Sequence, residues 1–301
     1  MNLIKIAAET DEQQKIILEG LLSFETYLKR KDLSSNTMRS ILTVYRHYFS
    51  LHDRLSIENL QLYKEYLLAH YKTTTVNSRI NGINHCLSWL EQAEAQNYAK
   101  ALRDCNMEGF RLNAVKLQVK SFLDNIISQE DYTRLKEMLK KNDDLLWYFV
   151  VRFLAGTGAR VSELIQIKAE HLKLGYMDLY SKGGKVRRIY FPDELCQEAT
   201  QWIQKRGLDS GFLFTGRSGK QLTPRGIGSQ LKVLAGRCGI PQETVYPHSF
   251  RHRFAMNFLA KFNDISLLAD LMGHESIQTT RIYLTQTAKE QRKMIDRIVT
   301  W

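Results

Sequence analysis

Several features are missing from this chain of 301 residues. No stretch approaches 18 uninterrupted apolar residues, so no membrane span is expected, and no basic start followed by an apolar run marks a secretory leader. The four cysteines, Cys86, Cys105, Cys196 and Cys238, are scattered without a C-x-x-C spacing. They argue against a disulfide framework and read as reduced thiols of a cytoplasmic protein. His248, His252 and His274 come nearest to a metal-ligand set, but no cysteine or second H-x-x-H pattern completes four ligands, so neither metal nor other cofactor is expected. Internal repeats and low-complexity segments are absent as well.

Acidic charge is also in deficit. The chain carries 43 Lys and Arg against 32 Asp and Glu, a formal net charge of +11, which points to a polyanionic partner. The excess is uneven: residues 1–115 hold 14 basic and 13 acidic side chains, residues 116–301 hold 29 and 19. A solvated basic surface would explain the charge alone.

What is present is a composition of 44% hydrophobic and 25% charged residues. At this length it most naturally forms two domains. Apolar residues recur at helical spacing over residues 14–31 (Ile17, Leu21, Phe24, Leu28), whereas residues 1–13 show no strong period. Further helices are expected over 37–51, from a Ser56 cap through 68, and over 75–92. Together they make a small all-α bundle in residues 1–108. The polar stretch that follows supplies a linker, 109–120, and a second domain fills 121–301. This domain is expected to be mainly α with a small β-sheet. Ser128 and Asp131 open a helix to about residue 141, and two alternating strands in YMDLYSKGGKVRRIYF meet at Gly183 and Gly184. Further helices cover 194–205 and 223–237, and the tail TAKEQRKMIDRIVTW is amphipathic, with Met294, Ile295, Ile298 and Val299 on one side.

The chemistry gathers in PHSFRHRFAMNFLAKFNDISLLADLMGHESIQTTRIYLT. His248 and Arg251, at i and i+3, share one face of a helix that Phe250, Phe254, Phe258 and Leu259 dock on a core. The next helix stops at Gly273, which puts His274 on the turn, and Ser276 caps a short third helix carrying Tyr283. Upstream, GTGARVSEL breaks an apolar run and presents Arg160 at a helix start, where backbone N–H groups favour anions. Lys182 sits on the hairpin tip. Cations and donors around a phenol suit a phosphate-like target.

In type, order and approximate spacing, Arg160, Lys182, His248, Arg251, His274 and Tyr283 resemble the tyrosine recombinase (phage integrase) family. The likeness covers the last 170 to 180 residues or so strongly and the N-terminal part more loosely. It implies an N-terminal helical core-binding (SAM-like) bundle and a C-terminal catalytic domain that close as a clamp around DNA. It further implies strand cleavage and rejoining through a 3′-phosphotyrosyl link to Tyr283, without a metal. A covalent link conserves the energy of the broken phosphodiester. By the same resemblance Arg160 and Arg251 hold the non-bridging oxygens, where charge develops in the transition state. His248 assists proton transfer at the tyrosyl oxygen, Lys182 protonates the 5′ oxygen, His274 hydrogen-bonds the phosphate, and Glu163 supports the active-site helix. Lys185, three residues from Lys182, is either a DNA contact or the catalytic lysine itself. In the bundle, Lys72, Thr73, Thr74 and Arg79 are candidate DNA contacts, although a solvated helix cap explains them equally.

The implied partners are double-stranded DNA with inverted half-sites and three further copies of this chain in a synaptic tetramer. The tail docks on a neighbour or packs on its own domain, and accessory proteins remain admissible. The length leaves no room for an additional N-terminal arm-binding domain. The motifs lean towards integration and excision of a mobile element, with Xer-like dimer resolution or DNA inversion as alternatives. A type IB topoisomerase shares the constellation. A non-catalytic DNA-binding architectural factor is the reading of another class, and it requires that Tyr283→Phe change nothing.

Overall fold

The computed structural model describes residues 2–116, 125–180, 186–216, 218–274, 276–284 and 296, with residues 2–11 described by their backbone alone. The chain divides into two compact units, Met1–Val119 and Lys120–Trp301. It is mainly helical with one small two-stranded sheet. Among the described residues no helix is long and apolar enough to cross a membrane.

The first unit packs helices α1 (Asn2–Lys29), α2 (Ser35–Phe49), α3 (Ile57–His70), α4 (Thr73–Leu90) and the short α5 (Gln96–Leu102). Ser34 and Ser56 cap α2 and α3, each Oγ accepting a backbone N–H three residues on. Phe24, Tyr45, Tyr48, Tyr63 and Trp89 are fully buried at the centre. Burying each aromatic ring contributes on the order of 2–3 kcal/mol. Two of the buried phenols still find acceptors, Tyr45 on the Ile17 carbonyl and Tyr48 on the Arg54 carbonyl, both at 2.9 Å.

Two differences from the sequence reading stand out. α1 starts at Asn2, because ETDEQQK is rich in good helix formers and needs no apolar stripe. The segment expected to act as linker from 109 is instead fastened to α4 as far as it is described. Asn84 accepts from the Leu112 N–H at 2.9 Å and donates to the Leu112 carbonyl at 3.0 Å. Asn77, two turns earlier, does the same to Val115 at 2.8 and 2.9 Å. Glu91 adds bonds to Gly109 N–H and to the Arg111 guanidinium. Residues 117–124 lie outside the described residues.

The second unit is built around α7 (Leu145–Thr157), whose residues Tyr148 to Leu154 are buried on nearly every side apart from Arg152. An all-round apolar helix belongs in the middle of a domain. Against it pack α6 (Gln129–Lys141), α10 (Asp193–Lys205) and α12 (Pro247–Phe262). The short α8 (Val161–Leu164) and α9 (Ala169–Leu174) lead into strands β1 (Tyr176–Tyr180) and β2 (Val186–Tyr190), antiparallel with Asp178 opposite Arg188. α11 (Pro224–Arg237) begins at a Thr223 cap followed by proline. α13 (Ile265–Met272), α14 (Ile277–Arg281) and a 3₁₀ turn, Ile282–Leu284, complete the described part. The hairpin tip 181–185 and the C-terminal tail, apart from residue 296, lie outside the described residues.

Asn77→Ala and Asn84→Ala are each expected to destabilise the first unit by about 1–3 kcal/mol and to speed amide hydrogen exchange at Val115 and Leu112 respectively. Unchanged exchange in both variants would show that the segment needs neither asparagine.

Candidate active site

Two helix ends and one buried guanidinium form the frame. α7 ends at Gly158 and α13 at Gly273, both in left-handed conformation with φ of 63° and 60°. These ends leave carbonyls without helical partners. Arg251, 3% exposed on α12, donates to the Gly158 carbonyl and to the Met272 carbonyl, each at 2.6 Å. Arg160, N-cap residue of α8, donates to the Gly273 carbonyl at 3.0 Å. The negative ends of two helices therefore hold two cations in place.

One carboxylate sits among them. Glu163 accepts the Arg160 backbone N–H at 2.7 Å and pairs through Oε1 with Arg160 and with Arg187, both at 2.8 Å. Burial pushes Glu163 up, but Arg187, the Arg160 backbone N–H and the Arg160 guanidinium together draw it below its usual range. Arg187 also donates twice to the Leu271 carbonyl, at 3.0 and 2.8 Å. Burial, followed by Arg160 and Arg187, lowers Arg251 to about 10, which still leaves it charged at neutral pH. Three guanidinium groups thus face one carboxylate, a surplus of positive charge suited to a phosphate.

Around this frame lie the uncharged donors. Thr280 is fully buried, and its Oγ1 lies 2.8 Å from Nδ1 of His274, fixing that ring. Burial, then Arg251, Arg160 and Arg187, lowers His274 to about 4, so it is neutral in ordinary buffers. His248 keeps an exposed edge, and desolvation followed by Arg251 and Arg160 lowers it too. Tyr283 lies in the 3₁₀ turn after α14 rather than on α14 itself, packed on a small apolar cluster that includes Phe254, Phe258, Leu268 and Met272. Burial raises its phenol above the usual value although Arg251 pulls the other way. The partner of its Oη is Nδ1 of His252, at 2.7 Å.

The structure therefore gathers Arg160, Glu163, Arg251, His274 and Tyr283, with His248 on the same helix. Lys182 and Lys185 lie outside the described residues. Two residues were missed in sequence. Arg187 carried a signal, since it shares the inward face of β2 with buried Ile189. His252 carried another, four residues after His248 on one helix face. Among the described residues no group of three or more His, Cys, Asp or Glu gathers to hold a metal.

In the first unit Lys72 is the N-cap residue of α4 with no side-chain cap, followed by Thr73 and exposed Thr74. Arg79 is half-buried and holds its guanidinium carbon over the Tyr71 ring, 4.2 Å from the centroid. It also borders a groove of about 390 Å³ between α2 and α4, shared with Arg39, Ser40, Thr43, Thr75 and Ser78.

Comparison with known proteins adds matches of three kinds. The model of the phage integrase family matches residues 118–290. The chain is 29% identical over 299 residues to the tyrosine recombinase XerA of Pyrococcus furiosus, with 93% of each chain covered. It is 28% identical over 285 residues to the tyrosine recombinase XerD of Oceanobacillus iheyensis, covering 88% of this chain and 92% of that one. Among solved structures, the Tn1549 transposon integrase in complex with a circular intermediate DNA superposes with a TM-score of 0.68 at 16% identity, covering 93% of this chain and 99% of that one. A lambda integrase dimer bound to a core site gives 0.67 at 15%, covering 90% and 96%. At these identities the two structures speak for the fold.

Replacing Arg187 by Ala should destabilise the second unit by about 2–4 kcal/mol, because it orphans a carbonyl and leaves Glu163 with one cation. Chemical denaturation measures it, and Arg187→Lys, which cannot reproduce the forked contact, should recover less than half. Glu163 has a lowered folded pKa, so its contribution is present above the usual carboxylate range and lost as pH falls through the lowered value. Stability of Glu163→Gln should accordingly fall less steeply with acid than that of the wild type.

Proposed function

The chain belongs to the phage integrase family, and we propose that it is a site-specific recombinase that cuts and rejoins DNA strands through a 3′-phosphotyrosyl link to Tyr283. The observation that carries this reading is the surplus of guanidinium charge beside a protonated phenol. Arg160 and Arg251 are already immobilised by carbonyls, so they meet the phosphate without reorganisation and stabilise the added charge of the phosphorane. Glu163 and Arg187 fix Arg160 and the end of α13. His274, neutral, donates an N–H to a non-bridging oxygen. His248 lines the same helix face and assists proton movement. Lys182 protonates the departing 5′ oxygen, with Lys185 beside it on the hairpin.

The first unit supplies DNA contacts through Lys72, Thr73, Thr74 and the hydroxyl-lined groove with Arg39 and Arg79. Backbone phosphates suit such a surface. The complete reaction engages four copies on two duplexes with inverted half-sites, and the tail after Tyr283 links neighbours. Of the jobs that fit this chemistry, DNA inversion among them, two have an observation in their favour. Integration and excision of a mobile element is the reading carried by the motifs. Resolution of DNA dimers is favoured by a different observation, the relatives named Xer that match along nearly the whole chain.

Covalent trapping tests the chemistry and the job together. The wild type, incubated with sheared genomic DNA and denatured, should retain DNA ends that map to paired inverted half-sites, and Tyr283→Phe should retain none. Adducts scattered without a consensus would favour a topoisomerase, and equal behaviour of the two proteins would favour a binding factor. Affinity for the recovered site should fall steeply with salt, and Lys72→Ala or Arg39→Ala should each reduce the log–log slope by about 1.

A further inference from the structure

The proposed nucleophile has a feature that its assigned partners do not explain. Tyr283 carries one O–H, and the atom 2.7 Å from its Oη is Nδ1 of His252, the rings lying 5.6 Å apart and tilted by 52°. His248, one turn earlier, has its ring 6.3 Å from that of His252. The contact admits either tautomer; with the ring hydrogen on Nε2, Nδ1 keeps a lone pair that accepts the phenol O–H. From this geometry we propose that His252, rather than His248 to which the family resemblance gives proton transfer at the tyrosyl oxygen, is the catalytic base that takes the proton of Tyr283 when it attacks the phosphate. The inference rests on Tyr283 being the nucleophile.

The step balances. The phenol proton passes to Nδ1 while an oxygen lone pair of Tyr283 forms the bond to phosphorus. The bond from phosphorus to the 5′ oxygen breaks, and that oxygen leaves with its pair and takes a proton from Lys182. In rejoining, the 5′ hydroxyl attacks and returns its proton to Lys182, the tyrosyl oxygen departs with its pair, and Nδ1–H returns the other proton to it. His252 thereby acts as base in cleavage and acid in rejoining, at the same oxygen.

Charge around the ring keeps it ready. Burial, then His248 and Arg251 on α12, disfavour a second proton on His252, while His274 after α13 stays neutral. Tyr283 closes the remaining side. The base is therefore free at neutral pH in the DNA-free protein, its pKa below the usual histidine value of about 6.5, and its protonation sets the acid limb of the cleavage rate.

Two measurements decide it. In full-length protein labelled with ¹⁵N-histidine, Nδ1 of His252 should be the unprotonated nitrogen at neutral pH, and its signal should move in Tyr283→Phe. A protonated Nδ1 would overturn the base role without any DNA being present. In single-turnover cleavage of a duplex carrying the recovered half-sites, His252→Ala should be slower by about 10²–10³-fold, with DNA affinity unchanged and partial rescue by added imidazole. His252→Asn, which keeps an acceptor but is no base, should remain slow and lose the acid limb. Wild-type rates in both variants would sink the proposal while leaving the recombinase reading intact. Absence of adduct in the wild type, or adduct in Tyr283→Phe, would instead refute the recombinase reading.

Discussion

The site depends on a buried guanidinium whose polar partners are carbonyls rather than a carboxylate of its own. Arg251 is held by the Gly158 and Met272 carbonyls, the ends of α7 and α13. Taking such a group out of water costs several kcal/mol unless its N–H groups are satisfied, and two short bonds to helix-end carbonyls meet much of that cost. Carbonyls satisfy the donors yet cancel none of the net charge. A carboxylate in their place would have left a neutral pair with less to offer a phosphate. The arrangement requires both helices to stop abruptly and turn left, and the two stops leave no space for a side chain. A Cβ on Gly158 would lie 2.5 Å from the Phe254 ring, and one on Gly273 2.3 Å from Arg187. Each glycine is fixed both by its backbone and by its neighbours.

α12 connects this frame to the rest of its unit. Ser249 accepts the Ile127 N–H at 2.8 Å, and Arg253 donates to the Ile127 carbonyl and to the Gln129 side chain, which ties the entry of α6 to α12. Phe250 fills the main core, fully buried. His248 and His252 face the site. Consecutive residues of a single helix thus anchor the domain entry, seal the core, supply the buried cation Arg251 and meet the Tyr283 hydroxyl. A rotation of α12 would disturb all four at once, so the core that fixes its rotation also fixes the catalytic geometry.

The parts legible in sequence were those decided locally. Ser56, Ser128 and Ser276 cap the helices that follow them, and the Gly273 stop behaved as a glycine stop does. Short-range rules also placed Arg160 at a helix start and His274 on the turn after Gly273, whereas Tyr283 fell in the 3₁₀ turn beyond the short helix expected to carry it. The misses came from contacts distant in sequence. Asn77 and Asn84 bind a segment 38 and 28 residues away, and an asparagine on a helix face gives no local sign of such a partner. α5 is too short for a period to show. Arg187 finds its partners 24 and 84 residues away. Its inward position on β2 was readable from alternation, whereas its role depended on where α8 and α13 came to lie.

Charge and proton transfer are linked through the same cations. In the free protein Arg251, Arg160 and Arg187 suppress protonation of His274, and Arg251 with His248 suppresses that of His252. A phosphate diester seated among the guanidinium groups offsets part of their field. The imidazole beside Tyr283 then becomes more basic as the substrate arrives, while the phenol, raised by burial, loses some of the help it had from Arg251. The two effects act in opposite directions on the proton between Oη and Nδ1. An ionised phenol is the better nucleophile but lies uphill in a buried site, so a base that strengthens on phosphate binding offsets the weakened cationic field. On the proposed reading, the cations that would bind the scissile phosphate also set when the neighbouring histidine is basic enough to activate the tyrosine.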